Sequence, residues 1–105
     1  GEDLAEATLL CGTKSGRDMD KFAEAGLTPG RGRCVGAPLV RECIGNLECR
    51  LVGSLTTGDH SIFAGEILAA WVNETPKRLL CSIDESGGYD FLLEKGGYRF
   101  GVVKA

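Results

Sequence analysis

The densest group of chemistry-bearing side chains lies between two short helical patterns, at Lys14, Ser15, Gly16, Arg17 and Asp18. Two cations, a hydroxyl and backbone amides freed by a glycine, set before a helix start, suit a phosphate or another anionic ligand. Asp18, as the predicted N-cap, takes up part of that helix-end field. The same charges could instead be used without a ligand, with Arg17 and Lys21 pairing to Asp18, Asp20 or Glu24 on the surface. His60, the sole histidine, follows Gly58-Asp59. An imidazole there can donate to an anionic ring near neutral pH, or it can simply stand in water as a turn residue. No serine or cysteine nucleophile accompanies it in motif context, so nothing supports a hydrolytic triad and no catalytic residue is assigned.

The cysteines, Cys11, Cys34, Cys43, Cys49 and Cys81, are odd in number and form no CxxC pair. That pattern fits free thiols in a reducing cytoplasm better than a disulfide framework, and the spacings match no zinc site. Cys11, near Lys14 and Arg17, is the one thiol in an electropositive setting. By default Cys11 and Cys49 are small buried hydrophobes.

Several elements must hold these residues. Glu2 to Leu10 predicts a short helix stopped by Cys11-Gly12. Met19 to Ala25 predicts a second, capped by Asp18, with Met19, Phe22 and Ala23 as its apolar stripe. Gly26 stands at its left-handed C-cap, Leu27 closes the contact behind, and Thr28-Pro29-Gly30 turns away. Gly30 to Arg33 is a basic connector. From Pro38 the pattern is β. Leu47, Cys49, Leu51 and Leu55 alternate with Glu48, Arg50 and Ser54, and Thr57 to His60 forms a turn. Ile62 to Val72 is apolar on both faces, which predicts a strand buried on both sides with Phe63 and Trp71 in the core. Glu48, Arg50 and Glu66 read as cross-strand charge partners on this hairpin. After a polar link at Asn73 to Arg78, Leu79 to Ile83 predicts a short strand and Glu85 to Gly88 a turn. Tyr89–Leu93 and Tyr98–Val103 predict a terminal hairpin across Glu94-Lys95-Gly96-Gly97.

The 105 residues suffice for one small domain. A net charge of −3 and a pI near 5.1 argue against nucleic acid or a membrane surface as the main partner. No apolar run reaches the roughly 20 residues that span a bilayer, and the acidic start does not read as a signal peptide. The 16 glycines foretell many turns and few long helices.

Two stretches carry a family likeness: Cys11-Gly12-Thr13-Lys14-Ser15-Gly16-Arg17-Asp18-Met19-Asp20-Lys21-Phe22 with Ala25-Gly26-Leu27-Thr28, and Pro38-Leu39 with Asn46-Leu47-Glu48-Cys49-Arg50 and Gly58-Asp59-His60-Ser61-Ile62-Phe63-Ala64-Gly65-Glu66-Ile67. Their order and spacing resemble the flavoredoxin-type branch of the flavin reductase-like, FMN-binding split barrels. The likeness covers about residues 3–73 and implies a mainly β fold with short helices, here a partial antiparallel split barrel. It implies an FMN cofactor held by Lys14, Ser15, Gly16, Arg17, Asp18 and His60, with NAD(P)H as electron donor. Activity of that kind would make the chain an FMN-dependent oxidoreductase. A homodimer or intertwined oligomer and a redox partner protein follow from the same likeness. Members of the family run to nearly twice this length, so residues 1–105 are expected to form a single domain lacking the family's N-terminal half. The strands that remain are too few to close a barrel. The competing expectation is a flavin-free remnant that serves as an oligomerisation or interaction domain.

Overall fold

A computed structural model describes residues 1–84 and 87–104 of the chain. The first two residues of the turn predicted at Glu85 to Gly88 lie outside the described residues.

A 3-10 turn, Glu2–Leu4, runs directly into helix α1, Ala5–Thr13. The expected stop at Cys11-Gly12 is overturned, since Gly12 lies within the last turn and Lys14 leaves the helix in an extended conformation. The helix ends without a left-handed glycine, and side chains and the next amide reach the carbonyls of Leu9, Leu10 and Cys11. Thr13 Oγ1 donates to Leu9 O at 2.7 Å, Lys14 N to Leu10 O at 3.1 Å and Lys21 Nζ to Cys11 O at 2.7 Å. Helix α2, Lys21–Ala25, starts two residues later than predicted. Asp20 is its N-cap rather than Asp18, its Oδ1 accepting from Phe22 N at 3.0 Å and Ala23 N at 3.3 Å. Asp18 is held back in the preceding turn, where its N–H donates to Ser15 O at 3.1 Å. The helix ends as expected at Gly26 (φ 68°), with Leu27 N donating to Phe22 O at 2.9 Å.

Strands β1, Pro29–Gly30, and β2, Leu39–Val40, pair antiparallel at the base of the 31–38 loop. Strands β3, Gly45–Thr57, and β4, His60–Val72, form the long hairpin the sequence predicts. Only Gly58 and Asp59 connect them; Gly58, at φ 58°, occupies the first central position, where a type II′ turn places glycine. Two register shifts leave Val52 and Leu68 without opposite numbers. Each extra residue bends the ribbon and resets its alternation, so Leu55 does not follow from Leu51 by simple period-two counting.

The C-terminal sheet contains β5, Cys81–Ser82, β6, Tyr89–Lys95, and β7, Tyr98–Val103, in the order β5-β7-β6. Strand β6 continues two residues beyond the expected Leu93. The connection is Gly96-Gly97, both at positive φ, as a type I′ turn requires. Gly101 is needed on steric grounds, because a Cβ there would lie 2.6 Å from Asp90 O and 2.7 Å from Ile83 Cδ1. Gly101→Ala should therefore lower stability by about 1–3 kcal/mol, read as a reduced urea midpoint at unchanged slope. A midpoint equal to that of the parent would refute the clash.

The fold is mainly β, with short helices and small antiparallel sheets, and the sheets of the described residues form no closed barrel. Among the described residues the buried apolar side chains are Ala5, Ala7, Ala69, Phe100 and Val102, which makes a thin core. Ion pairs bind the amino end to the link before β5. Lys77 Nζ lies 2.9 Å from Asp3 Oδ2, while Arg78 reaches Glu2 at 2.9 Å and Asp90 at 3.1 Å. The expected double burial of β4 does not occur within the chain. Phe63 is 68% exposed and Ile67 58%, and Trp71 at 38% is only partly covered, so neither aromatic residue is core. Burial on both faces needs a layer on each side, and the described residues supply no such layers. Cys49, expected inside, is exposed for the same reason, while Cys11 is half-buried.

Candidate functional site

Helices α1 and α2 bracket the Lys14–Asp18 segment, and all five of these residues are exposed. Ser15 shapes the turn, with Oγ accepting from Arg17 N at 3.2 Å and its carbonyl accepting from Asp18 N. Gly16 leaves open space, since a Cβ there would meet only Lys21 Cε, at 4.0 Å. The ligand-free use of these charges is not what the structure shows. Among the described residues neither Lys14 nor Arg17 has a carboxylate within ion-pair distance, and Lys21 is engaged by Cys11 O. The expected helix-end contribution is corrected, because Asp20 already accepts the Phe22 and Ala23 amides of a five-residue helix. An anion here would be gripped by the two cations and not by the helix end.

Lys14 also lines a cavity of about 550 Å³ between α1, α2 and the β6–β7 turn, with Leu9, Leu10, Ala25, Lys95 and Tyr98 among its walls; Ser15, Gly16, Arg17 and Asp18 do not line it. His60 stands at the tip of the β3–β4 ribbon with its side chain 81% exposed, and its Nδ1 lies 2.6 Å from Asp59 Oδ1. It does not line the Lys14 cavity.

The most strongly organised polar centre involves Glu48, which the sequence suggests is a cross-strand charge partner. Opposite Glu48 is Ala69, and the carboxylate turns instead to the 31–35 loop. Glu48 is 1% exposed. Its two oxygens accept from Arg33 N at 2.8 and 3.0 Å, Cys34 N at 2.7 Å, Val35 N at 3.0 Å and Trp71 Nε1 at 2.7 Å. The Arg33 amide, then the indole, then the Cys34 amide hold its pKa down at about 2 despite desolvation. Three successive amides converging on one anion form a backbone nest with a resident carboxylate. Gly32 makes room for it, since a Cβ there would run into Glu48 Oε1 and lie 2.7 Å from its Cδ. The Arg33 guanidinium lies 5.5 Å from the Trp71 ring centroid, in cation–π range. A sequence signal existed in the glycine-spaced 30–36 loop, but its meeting with Glu48 required the fold. The expected Arg50–Glu66 pair is present, the two residues being directly opposed and hydrogen-bonded.

Comparison with known proteins gives a family match and several relatives. Residues 1–92 match the family described as flavin reductase like domain. An uncharacterized protein of Archaeoglobus fulgidus is 46% identical over 66 residues, which cover 63% of this chain and 37% of that protein. One from Pyrococcus abyssi is 35% identical over 67 residues, 64% of this chain and 38% of its own. The uncharacterized protein YddH of Escherichia coli is 38% identical over 65 residues, 60% of this chain and 34% of its own. The chain thus spans little more than a third of the length of these relatives. No solved structure matches it.

Proposed function

Because the chain belongs to the flavin reductase-like domain family, we propose that it is the C-terminal part of an FMN-binding, flavoredoxin-type reductase. In this reading electrons pass from NAD(P)H through FMN to a redox partner protein. The observation that carries it is the open, cationic Lys14–Arg17 turn, whose charges have no carboxylate partner among the described residues and whose glycine leaves space for a ligand. FMN, when bound, supplies the redox chemistry, and the protein supplies grip and electrostatics. Lys14 and Arg17 would hold the phosphate or an anionic edge as point charge and fork respectively. Ser15 keeps the turn closed behind them, and Asp18 stays in the turn and leaves the helix start to Asp20. His60 would act from the ribbon tip once other strands, or a second subunit, complete the split barrel around it.

The purified chain should be yellow, or turn yellow with added FMN, absorbing at about 450 nm, and NAD(P)H should bleach that band. Lys14→Gln with Arg17→Gln should weaken FMN at least tenfold at low salt, since each lost charge-assisted contact is worth about 1.5–3 kcal/mol. Unchanged affinity in a flavin titration would place the phosphate elsewhere. A colourless protein that ignores FMN would favour the flavin-free reading, a remnant serving as an oligomerisation domain, which the bare apolar ribbon supports.

A further inference from the structure

We propose that Asp59 is the positioning residue of His60, fixing the imidazole proton on Nδ1 and leaving Nε2 as the atom that exchanges a proton with a ligand at the ribbon tip. His60 Nδ1 lies 2.6 Å from Asp59 Oδ1. A carboxylate accepts hydrogen bonds and does not donate them, so the proton of that contact belongs to the ring nitrogen. The bond made by one imidazole nitrogen decides what the other carries. Neutral His60 is therefore the Nδ1–H tautomer, with a lone pair on Nε2. The imidazolium keeps the same bond to Asp59 and holds its second proton on Nε2.

The turn itself builds this pair. Gly58, at φ 58°, takes the first central position, Asp59 the second, and His60 opens β4 opposite Thr57. The hairpin sets the backbone of all three residues, so the carboxylate meets the ring without a long-range contact. Neither side chain is used elsewhere. Among the described residues Asp59 has no other ion pair and His60 Nε2 has no hydrogen-bond partner. With Asp59 93% and His60 81% exposed, the pair adds little to stability. Its consequence is one of orientation, as when a carboxylate behind an imidazole sets its tautomer.

The tautomer narrows what His60 can meet. Neutral, it accepts at Nε2 from an N–H or O–H group of a ligand. As imidazolium it donates from Nε2 to an anionic atom. When that proton moves to the ligand, the ring returns to the Nδ1–H form with Asp59 still in place. The role of Nε2 toward a ligand rests on the flavin reading, whereas the tautomer does not.

Because His60 is the sole histidine, its ring nitrogens can be read directly by NMR of the 15N-labelled full chain. At about pH 8, where an ordinary imidazole is neutral, the Nδ1–H form should predominate. Asp59→Asn, which suits the same turn, should shift the ring toward the Nε2–H form, and Asp59→Glu should keep Nδ1–H. In the FMN-loaded chain, Asp59→Asn should lower kcat for NAD(P)H oxidation at least about tenfold at unchanged FMN affinity, with Asp59→Glu recovering it. A parent ring in the Nε2–H form, the same tautomer fractions in parent and Asp59→Asn, or an equal kcat despite a changed tautomer would overturn the proposal. A chain that binds no FMN would count against the flavin reading alone, and the tautomer fractions would still decide whether Asp59 positions His60.

Discussion

A Glu48→Gln protein is expected to lose the fixed geometry of the 31–35 loop, with the Cys34 and Val35 amides exchanging with solvent at least about ten times faster. Glutamine keeps the shape but removes the charge, and it replaces one acceptor oxygen by a donor that faces other donors. The Arg33, Cys34 and Val35 amides and the Trp71 indole all point at this carboxylate, so one substitution disturbs four hydrogen bonds. Buried donors left unmatched are more costly than the bonds themselves are stabilising. The Trp71 emission should move toward that of a hydrated indole, and Arg33 should lose its station over the ring. The pH dependence has a definite sign. A carboxylate whose folded-state pKa is lowered from 4.5 to about 2 stabilises the fold fully above the unfolded value, and that contribution disappears as pH falls from about 4.5 through 2. The parent protein should lose loop protection across that window, whereas the glutamine variant should show the loss already at neutral pH and no further loop transition there. Amide exchange and tryptophan emission measured from pH 7 to 2 would check both. Equal protection in parent and variant at neutral pH would remove Glu48 from its place as organiser of the loop.

Legibility in the sequence followed the range of the interaction. Elements set by neighbours in sequence were readable: the left-handed Gly26, the two-residue turn at Gly58-Asp59 and the paired glycines Gly96-Gly97 each carry their own conformational signature. Arg50 and Glu66 were readable as cross-strand partners from their opposite charges on one hairpin, but their direct opposition depends on the bulge at Val52, since the turn register alone would set Arg50 against Ile67. The choice between Asp18 and Asp20 was not, since both are good caps two residues apart, and the Ser15 turn decided between them by engaging the Asp18 amide. Nor were the bulges at Val52 and Leu68, which no residue type announces. Glu48 was misread for a different reason. Its partners lie 13 to 15 residues away along the chain, on a loop whose charged side chains drew attention while its backbone amides did the binding. The cationic turn at Lys14 to Arg17 was legible as a candidate, but its exposure and the occupation of the α2 start by Asp20 are set by the fold.

Replacing Phe63 or Ile67 by aspartate should dissociate the assembly expected of this chain, weakening self-association by at least about a hundredfold. The two residues lie four apart on β4, and the bulge between them adds its extra residue, Val52, to β3, so on β4 they keep one face of the ribbon. They are 68% and 58% exposed in the isolated chain, with Leu51 at 62% on the same face and Leu55, opposite Ile62, at 62% on the other. A compact protein of 11.1 kDa exposes about 5,700 Å², and this chain exposes 7640 Å². The excess, about 2,000 Å², is of the order that each partner contributes to a large obligate interface. The radius of gyration tells the same story, at 15.3 Å against about 12.9 Å for a compact domain of this length. A two-stranded ribbon with both outer edges unpaired is marginal alone, and its edges offer hydrogen bonds to another strand. Full burial of a phenylalanine or isoleucine is worth about 1.5–3 kcal/mol, and in a two-fold interface each substitution counts twice, which sets the hundredfold floor. Sedimentation velocity across a concentration series would show the parent as a dimer or larger species and the aspartate variants as a lighter one. A parent chain that sediments as a monomer at high concentration, or variants whose mass is unchanged, would show that this apolar ribbon is not covered by another copy.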